Sequence, residues 1–231
     1  MMTVVKKPMI VARPTNTTGD LSLLDNIRPA TLDKIEKSVI ALYASDDGVT
    51  ADNVTMQAIA KQANVSLQTL YKYFGDKNTL IYVILDRVLS RLAARMIDHL
   101  SGIDSVKDRL RKTLWVMFDF VDHNPEAVLF FSTAIPVSHY QHIAIYENKD
   151  LMEAFLHVLS DGQQRGELNQ KVSLKTLLDV FMGFITRLGL MHVLRQSRKP
   201  MTDDFDNLFD ILWRAISQDD LTSKGNLSGM H

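Results

Sequence analysis

The stretch VTMQAIAKQANVSLQTLYKYFGDK, residues 54–77, holds two helical patterns separated by only a few residues. Helices this short are marginal in water on their own, so each must be held by packing. Ile59 and Ala60, then Ala63 and Val65, then Leu70 and Phe74, put apolar groups at the junction, and Ala60 and Ala63 are small where two backbones must approach. Asn64 sits at the turn, where a left-handed backbone is expected and asparagine is the best substitute for glycine. The spacing predicts helices over Thr55–Ala63 and Ser66–Phe74, with Ser66 capping the second. Helix, tight turn, helix is the geometry that inserts one short helix into the DNA major groove while the other crosses behind it.

The exposed face of the second helix carries Gln68, Thr69, Lys72 and Tyr73, with Tyr71 nearby. Amides and hydroxyls bond base edges or phosphate oxygens, and Lys72 and Lys77 can neutralise phosphates. Residues 54–77 hold three lysines and one aspartate, a weak bias that alone establishes no nucleic-acid partner, and neither does the net charge of −1.

Over roughly residues 31–90 the chain resembles the tetracycline-repressor (TetR) family of bacterial transcription regulators. The family pattern is matched by Thr55, Ile59-Ala60, Ala63-Asn64-Val65-Ser66, Leu70-Tyr71-Lys72-Tyr73-Phe74 and Lys77-Asn78-Thr79-Leu80, with Asn64 in place of the usual glycine. By this resemblance Thr55, Tyr71 and Lys77 match phosphate-contacting positions. Gln57, Gln68, Thr69 and Tyr73 match positions facing bases or neighbouring backbone, and Ser66 and Lys72 complete the expected DNA-binding set. Tyr71 also suits packing of a three-helix head, Thr55 also suits a helix cap, and Lys61 reads as a solvated charge. The resemblance implies an all-α chain: an N-terminal three-helix helix-turn-helix head plus a C-terminal helical ligand-binding and dimerisation domain. It further implies a homodimer on double-stranded DNA at a palindromic operator, a small-molecule effector, no cofactor, and a cytoplasmic, nucleoid-associated location.

Elsewhere nearly every segment from Thr31 on is helical in pattern, and no strand alternation appears. The expected organisation is a flexible arm over 1–29 carrying Lys6, Lys7, Arg13 and Arg28, a helix-turn-helix domain over 30–76, a helical domain over 77–218, and a disordered tail over 219–231. Thr31 is the expected cap of a first helix to about Ser45, with Gly48 just beyond its end. Asp76 caps a long helix, and Ser105 with Asp108 opens another through about Asp122. Pro125, Pro136 and DGQQRGEL (161–168) punctuate the middle of the C-terminal half, before two final helices near 173–196 and 202–217, the last capped by Thr202.

A hydrophobic fraction of 46% suffices for a buried core. The absence of cysteine excludes a disulfide scaffold, cysteine-ligated zinc and a thiol nucleophile, and suits a reducing cytoplasm. No run approaches 18 consecutive apolar residues, which argues against a membrane span, and the N-terminal residues lack a signal-peptide pattern. Gly-rich phosphate loops, HExxH and GxSxG are all missing, so an enzyme is not expected. Asp119, Asp122 and His123, the nearest acid–base cluster, read as the polar end of a helix before Pro125. His139 and His142 sit three apart without a third ligand, so no metal is expected.

The 173–196 segment is apolar nearly all round and must be buried on more than one face. Paired with Phe205, Leu208, Phe209, Leu212 and Ile216 of the last helix, it can form half of a four-helix interface about a two-fold axis. Phe184 and Leu212 are expected to face the partner, and Gly183 and Gly189 to permit close approach, although a monomer core would absorb the same surplus. Trp115, Phe118, Phe131 and Phe155 are candidate walls for an apolar, aromatic or acyl-bearing effector, with Arg187 and His192 as polar anchors; core packing accounts for the same aromatic positions. The favoured function is a repressor released by such a ligand. Its alternatives are a ligand-independent architectural or division-control DNA-binding protein and, more remotely, a helical enzyme.

Overall fold

Helices supply the regular structure of the computed structural model, which describes residues 26–45, 53–100, 102–134 and 149–218. Among these residues the only extended pairing is an isolated antiparallel bridge between Leu168 and Ser217. The expectations for residues 1–25, Gly48, Pro136, His139, His142 and the 219–231 tail lie outside the described residues. The chain divides into two compact units, the first holding residues to Ala94 and Asn124–Met152, the second Arg95–His123 and Glu153–His231.

In the first unit, α1 (Pro29–Ala44) buries Leu32, Ile35, Val39 and Tyr43 along one face. Thr31 does not cap it. The cap falls three residues earlier, at Arg28, because Pro29, whose φ is preset and which has no N–H to satisfy, occupies the first turn. The Arg28 carbonyl then accepts from the Thr31 and Leu32 amides at 2.8 and 3.1 Å. Next come α2 (Met56–Ala63), α3 (Leu67–Phe74) and α4 (Lys77–Leu100), whose final residues, from Arg95, count with the second unit. Asp76 opens α4 as expected, its Oδ1 accepting from the Thr79 amide at 2.8 Å. The helix α6 (Pro125–Thr133) packs against α1, with Phe130 edge-on to Tyr43 at 5.5 Å between ring centres.

A buried carboxylate ties α1 to α4. Glu36 accepts from Arg87 Nε at 2.8 Å and from both terminal nitrogens of Arg91, while Arg87 also reaches Asp33 at 2.7 Å. Burial is the largest single effect on the Glu36 carboxyl and pushes its pKa up; Arg91 and Arg87 together outweigh it and hold the group below its ordinary value.

In the second unit, α5 (Val106–His123) is capped by Ser105, whose Oγ accepts from the Asp108 amide at 3.2 Å. The helix α7 (Lys149–Gln164) runs through the first half of DGQQRGEL instead of stopping there. The reason lies in Gly162, where a Cβ would stand 2.6 Å from Leu168 and 2.9 Å from Val106; that glycine permits close packing within a helix, and the turn falls at Gly166, φ 72°. Ser173 caps α8 (Leu174–Leu194), accepting from the Thr176 amide at 3.1 Å.

Thr202 does not cap the last helix either. Residues Met201–Asp204 form a 3-10 turn, and Asp122 accepts from the Met201 amide at 2.8 Å, the Thr202 amide at 3.2 Å and the Thr202 hydroxyl at 3.0 Å. The helix α9 (Phe205–Ile216) comes directly after it.

By length and composition α8 is apolar enough to cross a membrane, contrary to the reading from consecutive apolar residues. Leu177, Phe181, Ile185 and Gly189 are nevertheless buried, and the helix packs against α5 and α9. Two expectations about its neighbours are corrected. Leu212 is 1% exposed and faces its own core, and Gly189 lies against Val121, where a Cβ would come to 3.0 Å. Gly183 by contrast opens onto free space. The apolar groups left outward on α8 and α9 are Val180, Leu194 and Ile211, exposed by 41%, 57% and 57%.

The Glu36 cluster generates a pH prediction. Because the folded carboxyl titrates below the ordinary 4.5, its contribution is complete above that value and is lost as pH falls through the folded pKa. Glu36→Gln is expected to cost about 1.5–3 kcal/mol near neutrality, the range for hydrogen bonds to charged groups. The variant and wild type should converge in acid, once pH has fallen through the folded pKa. Urea titrations at both pH values measure this; equal midpoints near neutrality would contradict it.

Candidate nucleic-acid interface

The turn between α2 and α3 is built as the sequence requires. Asn64 takes φ 52° and ψ 48°, the left-handed conformation, and its amide donates to the Lys61 carbonyl at 3.2 Å. The Val65 amide donates to Ala60 O at 3.0 Å, so the Ala60 and Lys61 carbonyls of α2 are satisfied within the turn. Ile59, Ala60, Ala63, Leu70 and Phe74 are all buried at the junction, which fixes the crossing of the two helices.

Capping sets the starting points of both helices. Thr55 Oγ1 accepts from the Ala58 amide at 3.1 Å and Ser66 Oγ from the Thr69 amide at 3.0 Å. The Ser66 and Thr69 hydroxyls lie 2.7 Å apart and share a further hydrogen bond. Beyond these caps an outward face remains: Thr55, Gln57, Ser66, Gln68, Tyr71 and Lys72 are exposed or partly so, with Tyr71 at 48%. Thr69, Tyr73 and Lys77 complete the set nearby. Tyr73 packs on the core of this unit, and the Lys72 ammonium stands over its ring, 5.3 Å from the centre.

Lys77 carries a contact that spacing alone does not reveal. Its Nζ donates to the Val54 carbonyl at 3.1 Å, tying the first residue of α4 to the residue before Thr55. The α2 N-terminus, with its capped but still partly free amides, thus meets a lysine ammonium, an arrangement suited to an anionic oxygen. The sequence signal for this tie was weak: a lysine at a helix start opposes the helix dipole, and such a placement asks for a compensating partner.

The candidate effector residues are dispersed among several packing contacts. In the second unit Trp115 stands edge-on to His99 at 6.3 Å with the Lys112 ammonium 4.3 Å above its ring. Phe118 is completely buried, edge-on to Phe205 at 6.3 Å, and Phe155 lies 4.9 Å from Phe181. His192 Nε2 is 3.5 Å from the buried Asp122 carboxylate, and Arg187 is exposed. Phe131 belongs to the first unit, beside Phe130. Asp119, expected at the polar end of α5, pairs with Arg95 and stands 3.4 Å from His123.

A capped helix-turn-helix with a polar, lysine-bearing outer face defines a DNA-binding class of protein. The comparisons agree: residues 51–82 match the family model described as bacterial regulatory proteins, tetR family. The likeness to that family rests on this segment, and the matches point to a transcription regulator and not to an enzyme. The HTH-type transcriptional regulator HbdR of Aromatoleum sp. (strain CIB) is 29% identical over 75 residues, which span 32% of this chain and 33% of HbdR, about a third of that relative's length. Among solved structures, the fatty acid degradation regulator FadR from Bacillus halodurans superposes with TM-score 0.70 at 16% identity over 88% of this chain and 100% of its own. FadR from Bacillus subtilis, in complex with stearoyl-CoA, gives TM-score 0.65 at 16% identity over 78% and 96%. At those identities the likeness shows the fold.

The turn geometry makes a direct prediction. Asn64→Gly should leave thermal stability unchanged or raise it, whereas Asn64→Ala should cost about 1–2 kcal/mol through the left-handed conformation. Thermal unfolding of the two variants separates these outcomes, and an alanine variant as stable as glycine would contradict the reading.

Proposed function

We propose that this chain is a homodimeric, DNA-binding transcription regulator, a repressor that leaves a palindromic operator when a small apolar ligand binds. The observation that carries the reading is the outward face of α3, where Gln68, Tyr71 and Lys72 are exposed, with the Lys77–Val54 tie at the start of the helix-turn-helix. Gln68 and Gln57 are suited to base edges or adjacent phosphates, Tyr71 and Ser66 to phosphate oxygens, and Lys72 and Lys77 to phosphate charge. The protein works on nucleoid DNA in the cytoplasm.

Dimerisation is supported by the outward apolar groups Val180, Leu194 and Ile211 on α8 and α9. Symmetric pairing would bury them and set two recognition helices on successive major grooves, roughly 34–36 Å apart. Repression is relieved by a population shift: the ligand prefers a conformation of the dimer whose recognition helices no longer match that spacing. The regulators FadR, one named for fatty acid degradation and one solved with stearoyl-CoA, support an acyl-bearing effector. Trp115, Phe118, Phe155, Arg187 and His192, all in the second unit, remain its candidate contacts.

Selection of bound DNA from a random library tests the function. A single enriched palindrome supports it, and many dispersed, unrelated sequences would favour an architectural protein instead. Tyr71→Ala and Lys72→Ala should each weaken binding to specific and unrelated duplexes in filter-binding titrations, the lysine change also lowering the salt slope by about one. Neither losing affinity would contradict the docking. For assembly, Ile211→Asp should convert the dimer to monomer in sedimentation, since an unpaired buried charge costs several kcal/mol. A wild type already monomeric at micromolar concentration would overturn the dimer. Stearoyl-CoA should lower operator affinity, and no release across a series of acyl chain lengths would remove the acyl effector.

A further inference from the structure

The helix α8 leaves an outward stripe whose spacing is the same read from either end. Its exposed positions include Thr176, Asp179, Val180, Gly183, Thr186 and Arg187. Asp179 and Arg187 each lie four residues from Gly183, and Val180 and Thr186 each lie three from it. Only 28% of the most apolar 18-residue window of this helix is buried within the chain, so the stripe is short of a cover. Glycine inside a helix costs stability relative to alanine. At Gly189 the cost has an internal reason, since a Cβ would press on Val121, but at Gly183 a Cβ would meet nothing within 4 Å. Its own chain gives no reason for that glycine, whereas close approach of another backbone does. Asp179 and Arg187 are uncommitted as well: neither forms an ion pair or a side-chain hydrogen bond among the described residues.

We propose that α8 pairs with α8 of a second copy, antiparallel and centred on Gly183, and that Asp179 and Arg187 select which copies are accepted. The proposal rests on the dimeric reading above and adds to it the register and the selecting charges. About a two-fold axis at that point, each helix meets the other in reverse order. Asp179 then stands level with Arg187 of the partner subunit, about 6 Å along the helix from the crossing. Symmetry makes the pairing twice. Parallel pairing would set Asp179 against Asp179 and Arg187 against Arg187, and opposed like charges suppress an interface. A wholly apolar partner would leave both charges unmatched.

Sedimentation of the full chain with charge reversals tests this. Asp179→Arg and Arg187→Asp each turn both attractive pairs into repulsive ones, so either variant alone should dissociate at least about tenfold more readily than wild type. An equimolar mixture of the two restores opposite charges at both pairs and should dimerise like wild type. The double variant carrying both reversals should pair with itself and refuse wild type, as read from capture of untagged chains by tagged ones. Both side chains are exposed, and unchanged circular dichroism confirms that the reversals fold. Gly183→Leu has room in its own chain, so it should keep its helicity and weaken the dimer. Single reversals that dimerise as wild type does, or a mixture that stays monomeric, would overturn the register while leaving the dimer in place. So would a Gly183→Leu dimer of undiminished strength. A monomeric wild type would strike the dimeric reading itself and this proposal with it.

Discussion

The left-handed turn at Asn64 sets the angle between α2 and α3, and the placement of every polar group on the outer face of α3 depends on that angle. A residue at φ 52° ends α2 abruptly, its neighbour Val65 returns a hydrogen bond to Ala60, and Ser66 is then in place to cap the next helix. Ala60 and Ala63 allow the close crossing, and Leu70 and Phe74 fill it from the other side. Because α3 has only eight residues, it cannot hold this geometry through its own hydrogen bonds. Its orientation comes from the turn and the packed junction.

The surrounding first unit makes that small element rigid. Lys77 ties the start of α4 to Val54, just before the cap of α2, and the Glu36–Arg87–Arg91 cluster ties α4 to α1. A groove-reading helix gains affinity when its side chains are held before contact, since less ordering remains to be done on binding. The same logic applies within the first turn of α3, where the Ser66–Thr69 hydrogen bond removes one choice of side-chain orientation.

How much could be read in the sequence depended on whether the signal was local. The helix-turn-helix was legible because its spacing, its turn residue and its caps Thr55, Ser66 and Asp76 all act within a few positions, and each takes the expected role. Thr31 and Thr202 failed as caps for opposite reasons. Pro29 outcompeted the first by starting its helix earlier, and Asp122, 80 positions away, claimed the hydroxyl of the second. Gly162 was read as punctuation, but its lack of a side chain serves contact with Leu168 and Val106. Leu212 and Gly189 looked equally apt for a partner or for their own core, and only packing distinguishes these; both are used internally. The pairing of Glu36 with two arginines more than fifty residues away was beyond any periodicity argument.

The central claim, that α3 reads DNA sequence from a positively supported helix-turn-helix, is tested most directly by one titration series. The affinity of the full chain for its selected palindrome and for a scrambled duplex of equal length is measured across a range of salt concentrations. The account predicts a preference of at least roughly a thousandfold for the palindrome, with log affinity falling linearly with log salt for both duplexes. Equal affinity for the two duplexes, or binding that does not change with salt, would contradict it.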